Sequence, residues 1–351
     1  MLGVVPVALT PRPRHDASMS EHQNLLAETA GRAFAEADPW AAADAAGLPN
    51  VMMREEAGGF GGGFEDAAIV LMAAGRNAAA LPIAEAILAA KVLSDAGLAA
   101  GGNISFAATN EGEAQVLAGE ITFSGVLRNV SFGRDAERVA VLIEHGGKKL
   151  ICSFARADAT RIEERANPAD EPRDHLHFTH AKGQCAETKW NAAQFFRSMA
   201  WARACQMTGA MEAALALAAA HVRDRQQFGR ALASFQAIQQ QMALFAEETA
   251  AARMACVAAA RVADRGNAEF EMAAAKLRAN QAASVATSVA HQVHGAIGFT
   301  REYDLQHFTR RLWAWKSEFG NDRHWASEIG ARVAQHGSDN FWPGLVSGFT
   351  R

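Results

Sequence analysis

The amino-acid sequence predicts an α+β chain built from an N-terminal helical domain, a middle antiparallel β domain and a C-terminal four-helix bundle. Three observations carry that expectation. Helical periodicity runs from Glu21 to about Gly97, short β-branched segments replace it between about Asn103 and His180, and from Thr188 it returns in much longer runs. At 351 residues the chain suits two or three packed units, and a hydrophobic fraction of 50% supplies a large core.

The first 18 residues hold a short apolar run followed by Pro and Arg, too short to span a bilayer and charged on the wrong side for a signal peptide, so a disordered leader is expected there. Residues 19–100 then form the helical domain, with helices over 21–37, 64–79 and 82–96. Pro39, Pro49, Gly58–Gly59 and Gly61–Gly63 punctuate them. The middle domain, 101–185, contains the segments 104–109, 120–126, 138–144 and 148–154, joined by turns such as Glu144-His-Gly-Gly and Asn167-Pro. In the bundle, 186–351, helices over 189–223, 234–265 and 268–294 far exceed the average of roughly 11–12 residues, and a last one covers 322–336. Their ends are chemically sensible, with Gly229, Gly266 and Gly295 just past the periodic residues.

A net charge of −4 with 21% charged residues gives no global field toward nucleic acid or anionic lipid, so neither nucleic acid nor membrane is an expected partner. The alanine-rich stretches are interrupted by charges and read as buried helices. Cys152, Cys185, Cys205 and Cys256 have no paired spacing and read as reduced core thiols in a cytoplasm. No strand, Gly-rich loop and helix follow one another as a dinucleotide fold requires.

Two segments can carry chemistry. Arg225-Gln-Gln-Phe228-Gly229 followed by Phe235-Gln236-Ala-Ile-Gln239 places an arginine and several amides at a glycine turn between two long helices, where an anion could be held. On composition alone it is equally a polar inter-helix turn. His291-Gln292-Val293-His294-Gly295-Ala-Ile-Gly298-Phe299-Thr300 can bring backbone amides close to a phosphate, or serve only as a helix C-cap. His291 and His294 lack a third ligand, so no metal is expected.

Taken together and in this order, these two segments resemble the FAD-binding signatures of the acyl-CoA dehydrogenase family. The resemblance extends to Arg54-Glu-Glu-Ala-Gly-Gly-Phe-Gly-Gly, similar to the family's P-E-E-x-G-G-x-G, and to the helix, sheet, helix order. It implies an acyl-CoA dehydrogenase-like fold and a noncovalent FAD, with Arg225 and Phe228 reaching the cofactor of a neighbouring subunit and with Gln236, Gln292, Val293 and Gly295 as further contacts. Gly125-Val-Leu-Arg-Asn129-Val130-Ser131-Phe-Gly133 resembles the family's flavin-flanking strand, so Ser131 is implied at the hydride-accepting edge while Asn129 replaces a tryptophan. Phe106-Ala-Ala-Thr109 resembles the segment lining the pyrimidine side and implies Thr109 as a contact; the Asn110-Glu-Gly-Glu that follows lacks the family's Gly-Ser-Asp.

The family's reaction, α,β-dehydrogenation of a coenzyme A thioester, uses a glutamate that precedes a glycine after a basic helix. Counted from Arg310, that position holds Phe319, and Glu318 is one residue away. The alternative position on the first long bundle helix, within Ser198–Arg203, carries no acid. The resemblance therefore implies either an acyl-CoA dehydrogenase whose catalytic base is Glu318, with its carboxylate desolvated and raised in pKa, or a base-deficient FAD-binding subunit of a heterotetramer with a longer relative. A homo-oligomer or heterotetramer, an acyl-CoA substrate, electron-transfer flavoprotein as partner and a place in fatty acid or steroid catabolism follow from the same likeness. A non-enzymatic helical scaffold is the reading from a different class.

Overall fold

The computed structural model describes residues 20–347 apart from 108 and 118; the expected leader lies outside them. Helix α1 (Glu21–Ala33) begins where Ser20 and Gln23 cap each other reciprocally, and α2 (Pro39–Ala45) begins on Asp38, with proline at its first position. After the glycine turns come α3 (Phe64–Arg76) and α4 (Ile83–Asp95). Helix α3 has no side-chain cap of its own class at Gly63. Instead the Asp264 carboxylate, at the end of α6, accepts the Phe64 and Glu65 N–H groups at 2.6 and 3.0 Å, which ties the N-terminal helices to the bundle.

The strands are β1 (Ile104–Ala107), β2 (Thr109–Leu117), β3 (Glu120–Ser131), β4 (Arg138–His145), β5 (Lys148–Ala155), β6 (Ala159–Glu163) and β7 (Arg173–Glu187), with order β1-β4-β5-β7-β3-β2 and β6 beside β7. The expected antiparallel domain is corrected in one respect: β1 pairs with β4 in parallel, Phe106 opposite Ala140. The Asn103 carbonyl accepts the Glu137 and Arg138 N–H groups, so both strands leave the same anchor in the same direction. Inside the sheet Phe123, Phe154 and Phe178 pack with ring centroids 5.6–6.2 Å apart. Cys152 and Cys185, unpaired by spacing, are cross-strand partners; both are buried free thiols, and burial pushes the Cys152 thiol up.

The bundle comprises α5 (Ala192–Asp224), a hairpin of β8 (Gln226–Gln227) and β9 (Arg230–Ala231), α6 (Gln236–Ala263), α7 (Glu269–His294), α8 (Leu305–Ser317), α9 (Asp322–His336) and α10 (Ser338–Ser347). Helix α8, outside the four expected, also packs on α5 and α7 through Leu305, Leu312 and Trp315. Helices α3 and α5 cross at glycines: a Cβ at Gly75 would strike the Gln206 carbonyl and one at Gly209 the Met72 carbonyl. No helix of the described residues is long and apolar enough to cross a membrane.

One cation sits wholly inside this bundle. Lys276 of α7 is fully buried and donates to Asn280 Oδ1 (2.7 Å), the Trp315 carbonyl (2.8 Å) and the Lys316 carbonyl (3.3 Å). The last two are orphan acceptors at the C-terminus of α8, so the ammonium caps that helix from the side. Burial pushes the Lys276 pKa down to about 7, against the opposing pull of Glu318. The unfolded lysine titrates near 10.4, so between pH ~7 and ~10 the unfolded chain binds the extra proton and the stability of the native state rises with pH. Below that window both states are protonated and the full cost of the buried ammonium is present. Lys276→Met abolishes the titration. The unfolding free energy of the wild type minus that of Lys276→Met, measured by denaturant titration at pH 6.5 and pH 9, is expected to grow with pH; a pH-independent difference would contradict this placement.

Candidate functional site

Arg203 lies in the middle of α5 among alanines and methionines, its side chain 3% exposed. A guanidinium there must find anions and acceptors inside the protein. Its Nη2 donates to Glu85 Oε1 of α4 (2.7 Å), its Nη1 to Gln206 Oε1 (2.6 Å), and its Nε ion-pairs with Glu318 Oε2 at 3.0 Å. Glu318, which follows the last residue of α8, is held from the other side by the loop that precedes β7. Arg173 Nε and Asn167 Nδ2 both donate to its Oε1 at 3.0 Å, and Arg173 Nη2 to its Oε2 at 3.1 Å.

The network continues through Glu171. Its carboxylate accepts from Arg173 Nη2, Arg311 Nε and Trp315 Nε1 at 2.9–3.0 Å. Burial would raise the Glu171 pKa, but Arg173, Arg311 and Arg203 outweigh it and hold the carboxyl below its ordinary range. Burial likewise opposes the charge on Arg203, and Glu85, Glu318 and Glu171 reverse the sign and raise it. Three carboxylates, Glu85, Glu171 and Glu318, thus face three guanidiniums, Arg173, Arg203 and Arg311, across the junction of α4, α5, α8 and the β domain. Where the sequence leads one to expect Glu318 against an apolar face, its side chain is 17% exposed and both oxygens face guanidinium groups.

The strand carrying Ser131 meets this network, since Ser131 pairs in register with Arg173. Ser131 is 3% exposed, and its carbonyl accepts a hydrogen bond from Ser105 Oγ at 2.5 Å. Asn129 has φ 52°, and its N–H donates to His175 Nδ1. Thr109 opens β2 opposite Arg128; its side chain lies outside the described residues. Between the sheet and α5 runs a trough. Its outer part, about 340 Å³, is lined by Leu142, His145, Lys149, Asn191 and Ala192 among others. A second, smaller cavity of about 30 Å³ adjoins it at Leu142 and Ala192, between Phe106, Phe195, Phe196 and Phe319, where Phe106 and Phe195 stack at 3.6 Å.

The second cluster of expected residues is on the outside. Phe228 (φ 54°) and Gly229 (φ 76°) form the two-residue turn of the β8–β9 hairpin with left-handed backbone at both positions, which leaves the Phe228 ring 91% exposed. Arg225 terminates α5, and both it and Gln236 at the start of α6 are exposed. Arg230 lies 4.1 Å over the Phe235 ring. The end of α7 is brought alongside by stacking of His221 on His294, centroids 4.5 Å apart. Burial lowers the pKa of both histidines, and the His294 ring spans the Ala290 carbonyl (2.7 Å) and Tyr303 Oη (3.1 Å). Gln292 and Gly295 are exposed, Gly295 at φ 63° with open space where a Cβ would be. Val293 is buried in the core, so only its backbone could touch a ligand.

The structure therefore leaves Arg225, Phe228, Gln236, Gln292 and Gly295 exposed around the α5–α6 turn and the end of α7, and brings the Ser131 strand and Glu318 to the ion-pair junction. The surface offers a guanidinium, amide side chains, an aromatic face and open backbone, a set that fits an anionic cofactor with an aromatic ring. Arg173, Arg203, Glu171 and Lys276 were not anticipated. The available signal was a lone cation within an alanine-rich helical run, as at Arg203 and Lys276.

The family model described as acyl-CoA dehydrogenase, C-terminal domain, matches residues 190–333. Probable acyl-CoA dehydrogenase FadE25 of Mycobacterium tuberculosis is 36% identical over 107 residues, 30% of this chain and 28% of that protein. Acyl-CoA dehydrogenase FadE34 of the same organism is 29% identical over 296 residues, 81% of this chain and 40% of its own length. The matches thus span about 28% of the length of FadE25 and 40% of FadE34. Among solved structures, the ChsE4-ChsE5 complex from Mycobacterium tuberculosis superposes with a TM-score of 0.81 at 19% identity, over 92% of this chain and 99% of that one. Butyryl-CoA dehydrogenase from Megasphaera elsdenii gives 0.78 at 16%, over 91% and 100%. The bundle of this chain is thus similar to the acyl-CoA dehydrogenase C-terminal domain, and the described residues share the fold of these solved structures.

Proposed function

We propose that this chain is a subunit of a cytoplasmic, FAD-dependent acyl-CoA dehydrogenase, and that it lends its outward cluster to a flavin site while a longer partner chain supplies the carboxylate base. The observation that carries the proposal is the state of Glu318. Both of its oxygens are engaged by Arg173, Arg203 and Asn167, so neither is turned toward a substrate. A second support is the exposed Phe228 ring on its stiff hairpin, which leaves a large apolar group in water unless another chain or a cofactor covers it. A relative of the same fold was solved as a complex of two differently named chains, in keeping with a paired assembly.

In this reading Arg225 meets the cofactor pyrophosphate with a charge-assisted hydrogen bond, Gln236 and Gln292 offer amide contacts, Gly295 allows close backbone approach, and Phe228 covers an aromatic face. FAD, when bound, accepts the hydride from the β-carbon of the thioester. Electron-transfer flavoprotein is the acceptor we assign to the reduced assembly. The trough, with Lys149 and His145 at its outer part, suits the phosphate-bearing end of a coenzyme A thioester.

Two measurements test the reading. Arg225→Ala is expected to weaken FAD binding by about 1.5–3 kcal/mol in a low-ionic-strength titration of the assembled protein; wild-type affinity in the variant would show the outward cluster to be only a turn. Glu318→Gln is expected to leave thioester-dependent flavin bleaching by the assembly within about tenfold of wild type. A loss of about 10²–10⁴-fold, the effect of removing a general base, would instead assign catalysis to Glu318 and make the chain self-sufficient.

A further inference from the structure

We propose that Phe319 is a specificity-determining residue that closes the inner end of the trough, so that no acyl group enters the cleft of this chain. The proposal rests on the reading of the chain as part of a thioester-oxidising assembly and says which of its clefts is used.

Phe319 is an aromatic residue at φ 52°, a left-handed backbone that bulky side chains avoid and that persists only when the surroundings enforce it. The enforcement is visible atom by atom. Lys276 holds the Trp315 and Lys316 carbonyls, Arg173 and Arg203 hold the Glu318 carboxylate, and Trp325 Nε1 donates to the Phe319 carbonyl at 3.0 Å. The next residue, Gly320, has φ 95°, and a Cβ there would strike the Trp325 indole. A strained conformation fixed from four directions delivers one ring to one place.

That place is the narrow end of the trough. The Phe319 ring packs edge-on against Phe196 at 5.9 Å and lies 5.8 Å from the Arg203 guanidinium, leaving about 30 Å³ beside it, room for about one water. Leu142 and Ala192 line both this remnant and the 340 Å³ outer part, so the two adjoin across these side chains, with Phe319 filling the inner one. Removing the Phe319 ring would extend the outer part inward along an apolar wall suited to an acyl chain.

The test uses calorimetric binding of free coenzyme A, butyryl-CoA and octanoyl-CoA to the full-length protein. The wild type is expected to bind all three alike, because the acyl group finds no pocket. Phe319→Gly, which also relieves the backbone strain, is expected to bind octanoyl-CoA at least about tenfold tighter than free coenzyme A, as burial of several methylenes requires. Phe319→Ala, which keeps a Cβ and provides a second folded variant, is expected to show a gain in the same direction. Acyl discrimination already present in the wild type, or absent from both variants, overturns the proposal. Failure of the cofactor reading is distinguishable, since it shows in the FAD affinity of Arg225→Ala, a residue remote from this cleft.

Discussion

The buried guanidinium of Arg203 is the constraint on which the junction of this molecule depends. An arginine placed in the apolar middle of a 33-residue helix has no route to water, and an unpaired buried charge is far costlier than any packing it could gain. Its neutralisation recruits Glu85 from α4 and Glu318 from beyond α8, and Glu318 recruits Arg173 and Asn167 from the β domain. Four separate parts of the chain are therefore registered to one another by ion pairs and hydrogen bonds rather than by apolar contact alone. Removing one partner of such a set leaves the others uncompensated, at a cost of about 3–5 kcal/mol.

The same constraint organises the proposed division of labour. In that proposal, the loop held by Arg203, Arg173 and Lys276 turns neither oxygen of Glu318 to a thioester and carries the Phe319 ring toward the inner cavity. The outward cluster is free of these demands. The His221–His294 stack sets the end of α5 beside the end of α7, and Arg225, Gln292 and Gly295 face solvent.

Much of the fold was legible because it is written locally. The start of α1 on Ser20 and the ends of α5 and α7 follow from residues within one turn of the boundary. The four strands read from β-branched runs were found, whereas β7, with its Asp, His, Lys and Gly residues, carries too little apolar alternation to be recognised. The parallel β1/β4 pair depends on a shared anchor at Asn103 that no spacing reveals. The outward cluster was readable for the same local reason: each motif is contiguous. The ion-pair network was not, since Arg173 and Glu318 are 145 residues apart and Glu85 and Arg203 118 apart. Without those partners Glu318 had only its neighbour Phe319 to define it.

The account is tested most directly by a double-mutant cycle between Arg203 and Glu318. Unfolding free energies are measured by denaturant titration for the wild type, Arg203→Met, Glu318→Gln and the double variant. If Glu318 is the carboxylate that neutralises Arg203, the two substitutions are strongly non-additive, with a coupling free energy of about 1–3 kcal/mol. Additivity within about 0.5 kcal/mol would mean that Glu318 is free of the network, and the argument that it is structural rather than catalytic would fail with it.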